Sequence, residues 1–192
     1  MKKGIYCGKG KMTNHCSVDF DETGVCFTGG SNGRVYIWKG RSLAKTMKIH
    51  GKGSIGALRA VDGKIISAGK DKKIIVTDPK TGDAEETLEI TAYPRAIDMH
   101  DGNIIVGQKD GVITFFNTDR EDSRIVDGHS TGETWGLDCS PDGTTVVTTG
   151  DDNQIIAWDI ESKKTLHIGT ISEEKEAAPI GRASTLSKMA DS

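Results

Sequence analysis

The chain has 192 residues, 24 of them glycine and only 4 proline, with a formal net charge of −3 and a pI near 6.0. This length can bury a core, and the composition is typical of an all-β protein with many tight turns rather than of a disordered chain. Acidic and basic residues are interspersed, without the basic footprint of a nucleic-acid-binding domain, and no apolar run reaches the roughly 18 residues that span a bilayer. We therefore expect neither nucleic acid nor membrane among its partners.

The sequence predicts no metal site, no cofactor and no disulfide framework. The four cysteines (Cys7, Cys16, Cys26 and Cys139) lack the spacing of metal ligands, and the five histidines are scattered. We interpret the cysteines as reduced thiols of a cytosolic protein, with Cys26 and Cys139 in strands.

The predicted elements, in chain order, are short β-branched and apolar strands separated by polar turns. The first group is expected at Cys16–Phe20, Val25–Thr28, Arg34–Trp38 and Leu43–Ile49. The second is expected at Ile55–Val61, Lys64–Ala68, Lys73–Thr77 and Glu86–Ile90. The third is expected at Arg95–Met99, Asn103–Val106, Val112–Phe116 and Arg124–Val126. The fourth includes Thr144–Thr149, Gln154–Trp158 and Thr165–Ile171.

One pattern recurs four times: an apolar run, a glycine, a polar turn and a second apolar run. The four segments read TGGSNGRVYIW, SAGKDKKIIVT, IVGQKDGVITF and TTGDDNQIIAW. We take Gly30, Gly69, Gly107 and Gly150 as the equivalent glycines, which gives spacings of 39, 38 and 43 residues. A repeat of this period indicates a solenoid, a propeller or another array of similar units.

The stretch from Gly128 to Asp159 opens with Gly-His and closes with Trp-Asp, and therefore resembles a WD40 repeat. This resemblance implies an all-β, WD40-type β-propeller in which about four four-stranded blades belong to a larger ring. We therefore expect the chain to be a fragment of a longer protein.

The repeat pattern gives expected domain boundaries. They are residues 1–13, a lead-in or a strand of a preceding blade; 14–50, blade 1; 51–91, blade 2; 92–127, blade 3, which is degenerate; 128–171, blade 4; and 172–192, a linker towards a further blade.

Histidine, aspartate and a hydroxyl recur in a way that resembles a catalytic triad in residue types. The WD resemblance implies a buried structural network instead, and the matching positions are His129, Thr148, Asp152 and Trp158 in the fourth blade, His50, Ser67 and Asp71 in the second, and Trp38 in the first. The first blade has Asn32 at the aspartate position, and the third is expected to have Lys109 there. Because a catalytic site needs one constellation rather than decaying copies, we predict no catalytic residue and no enzyme.

Three stretches are similar to echinoderm microtubule-associated protein-like (EMAP-like) proteins. They are YIWKGRSLAKT at 36–46, the Gly-His at 128–129 followed by ETWGL at 133–137, and ASTLSK at 183–188. The resemblance implies a non-enzymatic scaffold that binds tubulin or microtubules, in the cytoplasm on the microtubule cytoskeleton or in the cilium. The alternative is a general WD40 adaptor, such as a ubiquitin-ligase substrate receptor or a ciliary transport subunit.

Three side chains that precede or open first strands are the candidate partner contacts: Arg95, Glu133 and Trp135. Core packing is the other interpretation of Trp135, and a solvated surface is the other interpretation of Arg95 and Glu133. A small basic cluster at Lys2, Lys3, Lys9 and Lys11 is either a solvated end or a contact for an acidic surface such as a filament.

Overall fold

A computed structural model describes residues 13–51, 53–125, 128–130 and 132–170. In these residues, sixteen strands form four four-stranded antiparallel sheets, and each sheet keeps its strands in chain order. The predicted all-β architecture of four four-stranded blades is therefore confirmed. The basic cluster and the expected linker at 172–192 lie outside the described residues, as does the expected lead-in except for Thr13. The domain boundaries stay a prediction.

The first compact unit ends at Ile90 and contains sheets 1 and 2. Sheet 1 consists of β1 (His15–Phe20), β2 (Cys26–Gly30), β3 (Arg34–Lys39) and β4 (Ser42–Lys48). Sheet 2 consists of β5 (Ile55–Val61), β6 (Lys64–Gly69), β7 (Lys73–Thr77) and β8 (Ala84–Glu89). Strands β1 and β5 lie against each other. Asp19 Oδ2 accepts a hydrogen bond of 2.9 Å from the Ala60 N–H, so one carboxylate joins the first strands of the two sheets.

The second compact unit begins at Thr91 and contains sheets 3 and 4. Sheet 3 consists of β9 (Pro94–His100), β10 (Asn103–Gln108), β11 (Ile113–Phe116) and β12 (Asp122–Ile125). Sheet 4 consists of β13 (Thr134–Cys139), β14 (Thr145–Gly150), β15 (Gln154–Asp159) and β16 (Thr165–Thr170). Strands β9 and β13 lie against each other, and Asp98 Oδ2 accepts a hydrogen bond of 2.8 Å from the Cys139 N–H. The joint between the two first strands is thus repeated in this unit.

Each unit has its own apolar core, supplied mainly by the second and third strands. These strands are rich in Val and Ile, which fit a pleated surface that is covered on both faces. The core of the first unit contains Phe27, Val35, Ile37, Met47, Ile55, Leu58 and Ile65. The core of the second contains Ile105, Ile113, Phe115, Leu137, Val146, Ile156, Trp158 and Ile160. Among the described residues we find no helix with the length and apolar character needed to cross a membrane.

The turn between the second and third strands fixes which residues of the four sheets are equivalent. Each turn closes through an i+3 hydrogen bond, at Gly33 N–H to Gly30 O, Lys72 to Gly69, Gly111 to Gln108, and Asn153 to Gly150. The donor residue has a positive φ in every sheet, between 57° and 78°. Gln108 therefore occupies the position of Gly30, Gly69 and Gly150.

The sequence prediction for sheet 3 is consequently wrong by one residue. It chose Gly107 as the equivalent glycine and Lys109 as the residue at the aspartate position, whereas the structure assigns these positions to Gln108 and Asp110. The physical requirement of the turn is a left-handed residue at its fourth position, i+3, which Gly111 provides with φ 78°. Glycine at the strand end is not needed for the turn itself.

Candidate functional site

Sheet 4 brings the four predicted network residues together around one buried imidazole. His129 Nδ1 lies 2.8 Å from Asp152 Oδ1, and His129 Nε2 lies 2.9 Å from Thr148 Oγ1. Trp158 Nε1–H donates to the same hydroxyl over 2.9 Å. Because the carboxylate can only accept, Nδ1 carries the proton, and in the neutral imidazole Nε2 accepts from the Thr148 hydroxyl. The donors run in one direction, from indole to hydroxyl to imidazole to carboxylate.

Sheet 2 repeats this arrangement without the indole. His50 Nδ1 lies 2.8 Å from Asp71 Oδ1, and His50 Nε2 lies 3.0 Å from Ser67 Oγ. Thr77 stands at the tryptophan position, and its buried hydroxyl has no hydrogen-bond partner among the described residues. Ser67 and Thr148 are both 0% exposed, so neither hydroxyl can reach a substrate. This burial favours a structural role over a catalytic one.

Sheet 1 satisfies the equivalent hydroxyl from a different direction. Trp38 Nε1–H donates to Thr28 Oγ1 over 3.0 Å, and His15 Nδ1 lies 2.8 Å from the same oxygen. His15 belongs to β1 itself, whereas His50 and His129 precede their first strands. Sequence reasoning missed Thr28 and His15. Thr28 could have been found, because it precedes Trp38 by the same ten residues that separate Thr148 from Trp158.

Sheet 3 replaces the histidine network by a glutamine. Fully buried Gln108 donates through Nε2 to Thr114 Oγ1 over 3.0 Å. Its Oε1 accepts from the Thr91 hydroxyl over 3.1 Å and from the Ala92 N–H over 2.8 Å. One amide thus ties the second strand both to the third strand and to the segment before the first. Sequence reasoning missed Gln108 because it expected a glycine at this position of the repeat and chose Gly107.

The exchange has a steric reason. A Cβ atom on Gly150 would lie 2.4 Å from His129 Nδ1, and a Cβ on Gly69 would lie 2.3 Å from His50 Nδ1. Glycine is therefore required wherever the imidazole is present. In the third repeat, Ile90 occupies the histidine position, since its N–H bonds to Lys72 O as the N–H of His129 bonds to Gly111 O. Without an imidazole, a side chain can occupy the glycine position.

Arg95 and Trp135, two of the candidate partner contacts, occupy equivalent β-bulges. The register shift in sheet 3 falls between Pro94 and Ala96, and the shift in sheet 4 falls between Thr134 and Gly136. Each bulge leaves one extra residue outside the ladder, and bulges are known to re-aim side chains in this way. The extra residues are Arg95 and Trp135. In sheets 1 and 2 the same positions hold Cys16 and Gly56.

The structure gathers Arg95, Trp135 and Glu133 into one group, which we call the bulge cluster. The Arg95 guanidinium lies 4.3 Å from the centroid of the Trp135 ring and 5.1 Å from that of Tyr93. It also forms an ion pair with Glu133, whose other oxygen lies 3.4 Å from Lys109 Nζ. The side chains of Arg95 and Glu133 are 25% and 15% exposed, while that of Lys109 is 59% exposed.

Asp151 supports the bulge cluster from the neighbouring turn. Its carboxylate accepts from Trp135 Nε1–H and, over 3.1 Å, from the Glu133 N–H. The indole hydrogen bond, then the backbone hydrogen bond, and to a smaller extent the charge of Arg95, lower the pKa of Asp151 below its usual range. Asp151 thus holds the indole N–H of Trp135, while the Arg95 guanidinium covers the face of the ring.

No cofactor or metal ligand set is assigned to these side chains. Within residues 13–51, 53–125, 128–130 and 132–170, no group of three or more His, Cys, Asp or Glu could hold a metal ion. Arginine, tryptophan and tyrosine grouped at a partly exposed surface can instead contact another protein, since interface hot spots are enriched in these residue types.

Comparison with known proteins identifies the repeat. Residues 120–159 match the family described as "WD domain, G-beta repeat", a stretch that begins just before β12 and ends with β15. Among solved structures, the WD40 β-propeller domain of Doa1 is similar with a TM-score of 0.72 and 22% identity, over 84% of this chain and 55% of that chain. This likeness shows the fold, a WD40 β-propeller of which the four sheets form part.

Sequence relatives are longer proteins. The ciliary WD repeat-containing protein ctxp80 of Euplotoides octocarinatus is 42% identical over 100% of this chain and 26% of its own length. The 77 kDa echinoderm microtubule-associated protein of Strongylocentrotus purpuratus is 33% identical over 85% of this chain and 25% of its own length. The chain therefore spans about a quarter of these curated relatives. The chain thus contains a WD repeat at residues 120–159 and is similar to ciliary WD-repeat and echinoderm microtubule-associated proteins.

Proposed function

We propose that the chain is a non-enzymatic scaffold that binds tubulin or microtubules, in the cytoplasm on the microtubule cytoskeleton or in the cilium. The observation that carries this proposal is the similarity to a microtubule-associated protein over 85% of the chain and to a ciliary protein over all of it. A scaffold role is also supported by the burial of both histidine networks, which leaves their hydroxyls out of reach of substrates.

The bulge cluster is the proposed contact surface. Arg95 and Trp135 stand outside the strand ladder, so a partner can contact them without disturbing main-chain pairing. The ion pair with Glu133 offsets the charge of Arg95, which leaves Lys109 as the more accessible cation. Binding then depends mainly on the aromatic and guanidinium surfaces, with a smaller contribution from salt-sensitive attraction to an acidic partner.

Co-sedimentation with taxol-stabilised microtubules, run beside a soluble-tubulin pull-down at low and raised salt, tests the proposal. We expect binding to at least one form, a moderate loss at raised salt, and a loss of tenfold or more in the Arg95→Ala/Trp135→Ala double variant. A matched control is Arg41→Ala/Leu166→Ala, which removes an exposed arginine and an exposed apolar side chain elsewhere.

Two results would contradict the proposal. A folded sample that binds neither microtubules nor tubulin would remove the proposed function and favour the general WD40 adaptor. Binding that the bulge variant and the control retain equally would keep the function but assign it to another surface. Circular dichroism melts of both variants separate loss of contact from loss of fold.

A further inference from the structure

The second unit contains a cleft that the proposed function does not use. It lies between sheets 3 and 4, at the end where the β11–β12, β13–β14 and β15–β16 turns meet, and has a volume of about 490 Å³. This volume lies within the range of about 300–1,000 Å³ that is usual for ligand sites. The bulge cluster contributes no residue to the cleft.

The cleft has an apolar floor and an acidic rim. Phe115, Phe116 and Ile160 form the floor and are buried. The carboxylates that line it are Glu121, Asp122, Asp159 and Glu161, against one lysine, Lys163. We call this feature the acidic cleft. An aromatic floor beneath several carboxylates is a surface that favours a cation with an aliphatic stem.

The carboxylates are only partly neutralised by the protein. Asp122 forms an ion pair with Arg124. Glu121 accepts a neutral hydrogen bond of 3.1 Å from Asn117 Nδ2, and Glu161 forms no ion pair with any described residue. Hydrogen bonds from Ser162 in its own turn hold the pKa of Asp159 below its usual range, so this group stays ionised at neutral pH. The cleft therefore has a net negative charge.

The chain's own lysine demonstrates that a cation fits there. Lys163 Nζ lies 5.2 Å from the centroid of the Phe115 ring and donates to the carbonyl oxygens of Ile160 and Glu161. Its hydrogen bonds go to carbonyl groups rather than to the rim carboxylates. The ammonium thus marks a cation position on the floor while the rim keeps most of its charge.

Charge is also divided unequally between the two units. Residues 91–192 contain 9 Lys and Arg against 18 Asp and Glu, whereas residues 1–90 contain 16 against 10. The net value of −3 for the whole chain conceals this difference, so charges are not interspersed evenly as the composition suggested. A unit with this excess of acid attracts basic partners at long range.

We propose that the acidic cleft binds a basic polypeptide segment of a partner protein, with a Lys or Arg side chain seated on Phe115 beneath the rim carboxylates. Charge complementarity selects the partner, and the apolar floor accommodates the aliphatic stem of its side chain. This surface is separate from the bulge cluster, so a scaffold could hold two different proteins at once.

Fluorescence anisotropy with a labelled twelve-residue Lys/Arg-rich peptide, titrated with the full chain at low and raised salt, tests the proposal. We expect saturable, salt-sensitive binding and none of an equally long Glu-rich peptide. The Glu121→Gln/Glu161→Gln variant should weaken binding by tenfold or more. The control Glu22→Gln/Glu89→Gln removes the same charge from exposed positions of the first unit and should leave the affinity within twofold.

A second variant tests the cation position in the opposite direction. Lys163→Met removes the resident ammonium but keeps an apolar stem, and we expect it to strengthen peptide binding about threefold or more. Equal weakening in the cleft and control variants would reveal general electrostatic attraction and overturn the proposal. Unchanged affinity in both Glu121→Gln/Glu161→Gln and Lys163→Met would also overturn it. Self-association that the cleft variant abolishes would make a second copy of the chain the occupant, which likewise contradicts a partner protein.

Discussion

Sheets 3 and 4 solve the same structural problem with different side chains. Each sheet must provide a hydrogen bond to a buried hydroxyl and connect it to the segment before the first strand. The hydroxyl lies on the third strand in sheet 3 and on the second strand in sheet 4. Sheet 4 uses His129, which needs Gly150 beside it, and sheet 3 uses Gln108 at the glycine position itself. The difference teaches that the two sheets share a satisfied polar path, while the residue that provides it lies before the first strand in sheet 4 and at the end of the second strand in sheet 3.

A methyl group at Gly150 should cause the largest loss of stability among the changes that distinguish the two sheets. Gly150→Ala puts a Cβ 2.4 Å from His129 Nδ1, so the imidazole must leave its two hydrogen bonds. We expect a loss of about 3 kcal/mol in the free energy of unfolding, measured by urea denaturation. Gly169→Ala is the matched control, because its nearest atom would be 3.8 Å away. Equal stability of the two variants would contradict the steric argument.

Position 150 also allows the histidine network of sheet 4 to be replaced by the glutamine network of sheet 3. If the sheets are alternatives, His129→Ile/Gly150→Gln should recover part of the stability that Gly150→Gln alone loses. A double variant that is less stable than the sum of the single changes would show that the glutamine solution depends on other residues of sheet 3.

Removing the imidazole should have the next largest effect. His129→Ala leaves Asp152 and Thr148 with fewer partners in a buried site, and such a loss costs about 1–3 kcal/mol. We expect a lower melting temperature by calorimetry or circular dichroism. His167→Ala, on the exposed strand β16, is the control. An unchanged melting curve for His129→Ala would remove the structural role of the network.

The corresponding change in sheet 3 should be somewhat smaller. Gln108→Ala leaves the Thr114 hydroxyl and the Ala92 N–H without the amide, at a cost of about 1–2 kcal/mol. Water can satisfy part of this path, because Ala92 lies near the surface of the loop. Gln154→Ala, at a partly exposed position, should change the unfolding free energy by less than about 0.5 kcal/mol. Similar effects for both glutamines would show that Gln108 is not the counterpart of His129.

The smallest effect concerns pH and the turn that follows the glycine position. Asp151 stands in sheet 4 where sheet 3 has Lys109, and its pKa is lowered in the folded protein. Its contribution is therefore complete above the unfolded pKa, near 3.8, and is lost as the pH falls through the lower folded value. We expect Asp151→Asn to flatten the decline of stability below about pH 4. Asp119→Asn should follow the wild-type profile, and a wild-type profile for Asp151→Asn would contradict the assignment.

Sequence alone predicted the strands well, because β-branched runs and turn residues are local signals. All predicted strand bounds agree with the structure to within two residues. It also selected His129, Thr148, Asp152 and Trp158 as one group, which the structure places in hydrogen-bond contact. Motif comparison works for these residues because both the residue types and the spacing are retained.

Sequence reasoning failed where a different residue type provides the buried hydrogen bonds. Gln108 does not match any motif, and the choice of its neighbour Gly107 as the equivalent glycine shifted the predicted alignment of the third repeat by one residue. The contact between Arg95 and Trp135 depends on two β-bulges, which arise from main-chain pairing rather than from residue type. The acidic cleft combines residues from three separate turns, so no local sequence pattern could have predicted it.

The carboxylates that join first strands have a consequence for how such repeats diverge. Asp19 and Asp98 each accept a hydrogen bond from a main-chain N–H of the next sheet, at Ala60 and Cys139. Any residue except proline offers that group, so this hydrogen bond places almost no demand on the identity of the residue that donates it. Neighbouring repeats can therefore accumulate different side chains, and acquire different partners, while the junction that aligns them is preserved.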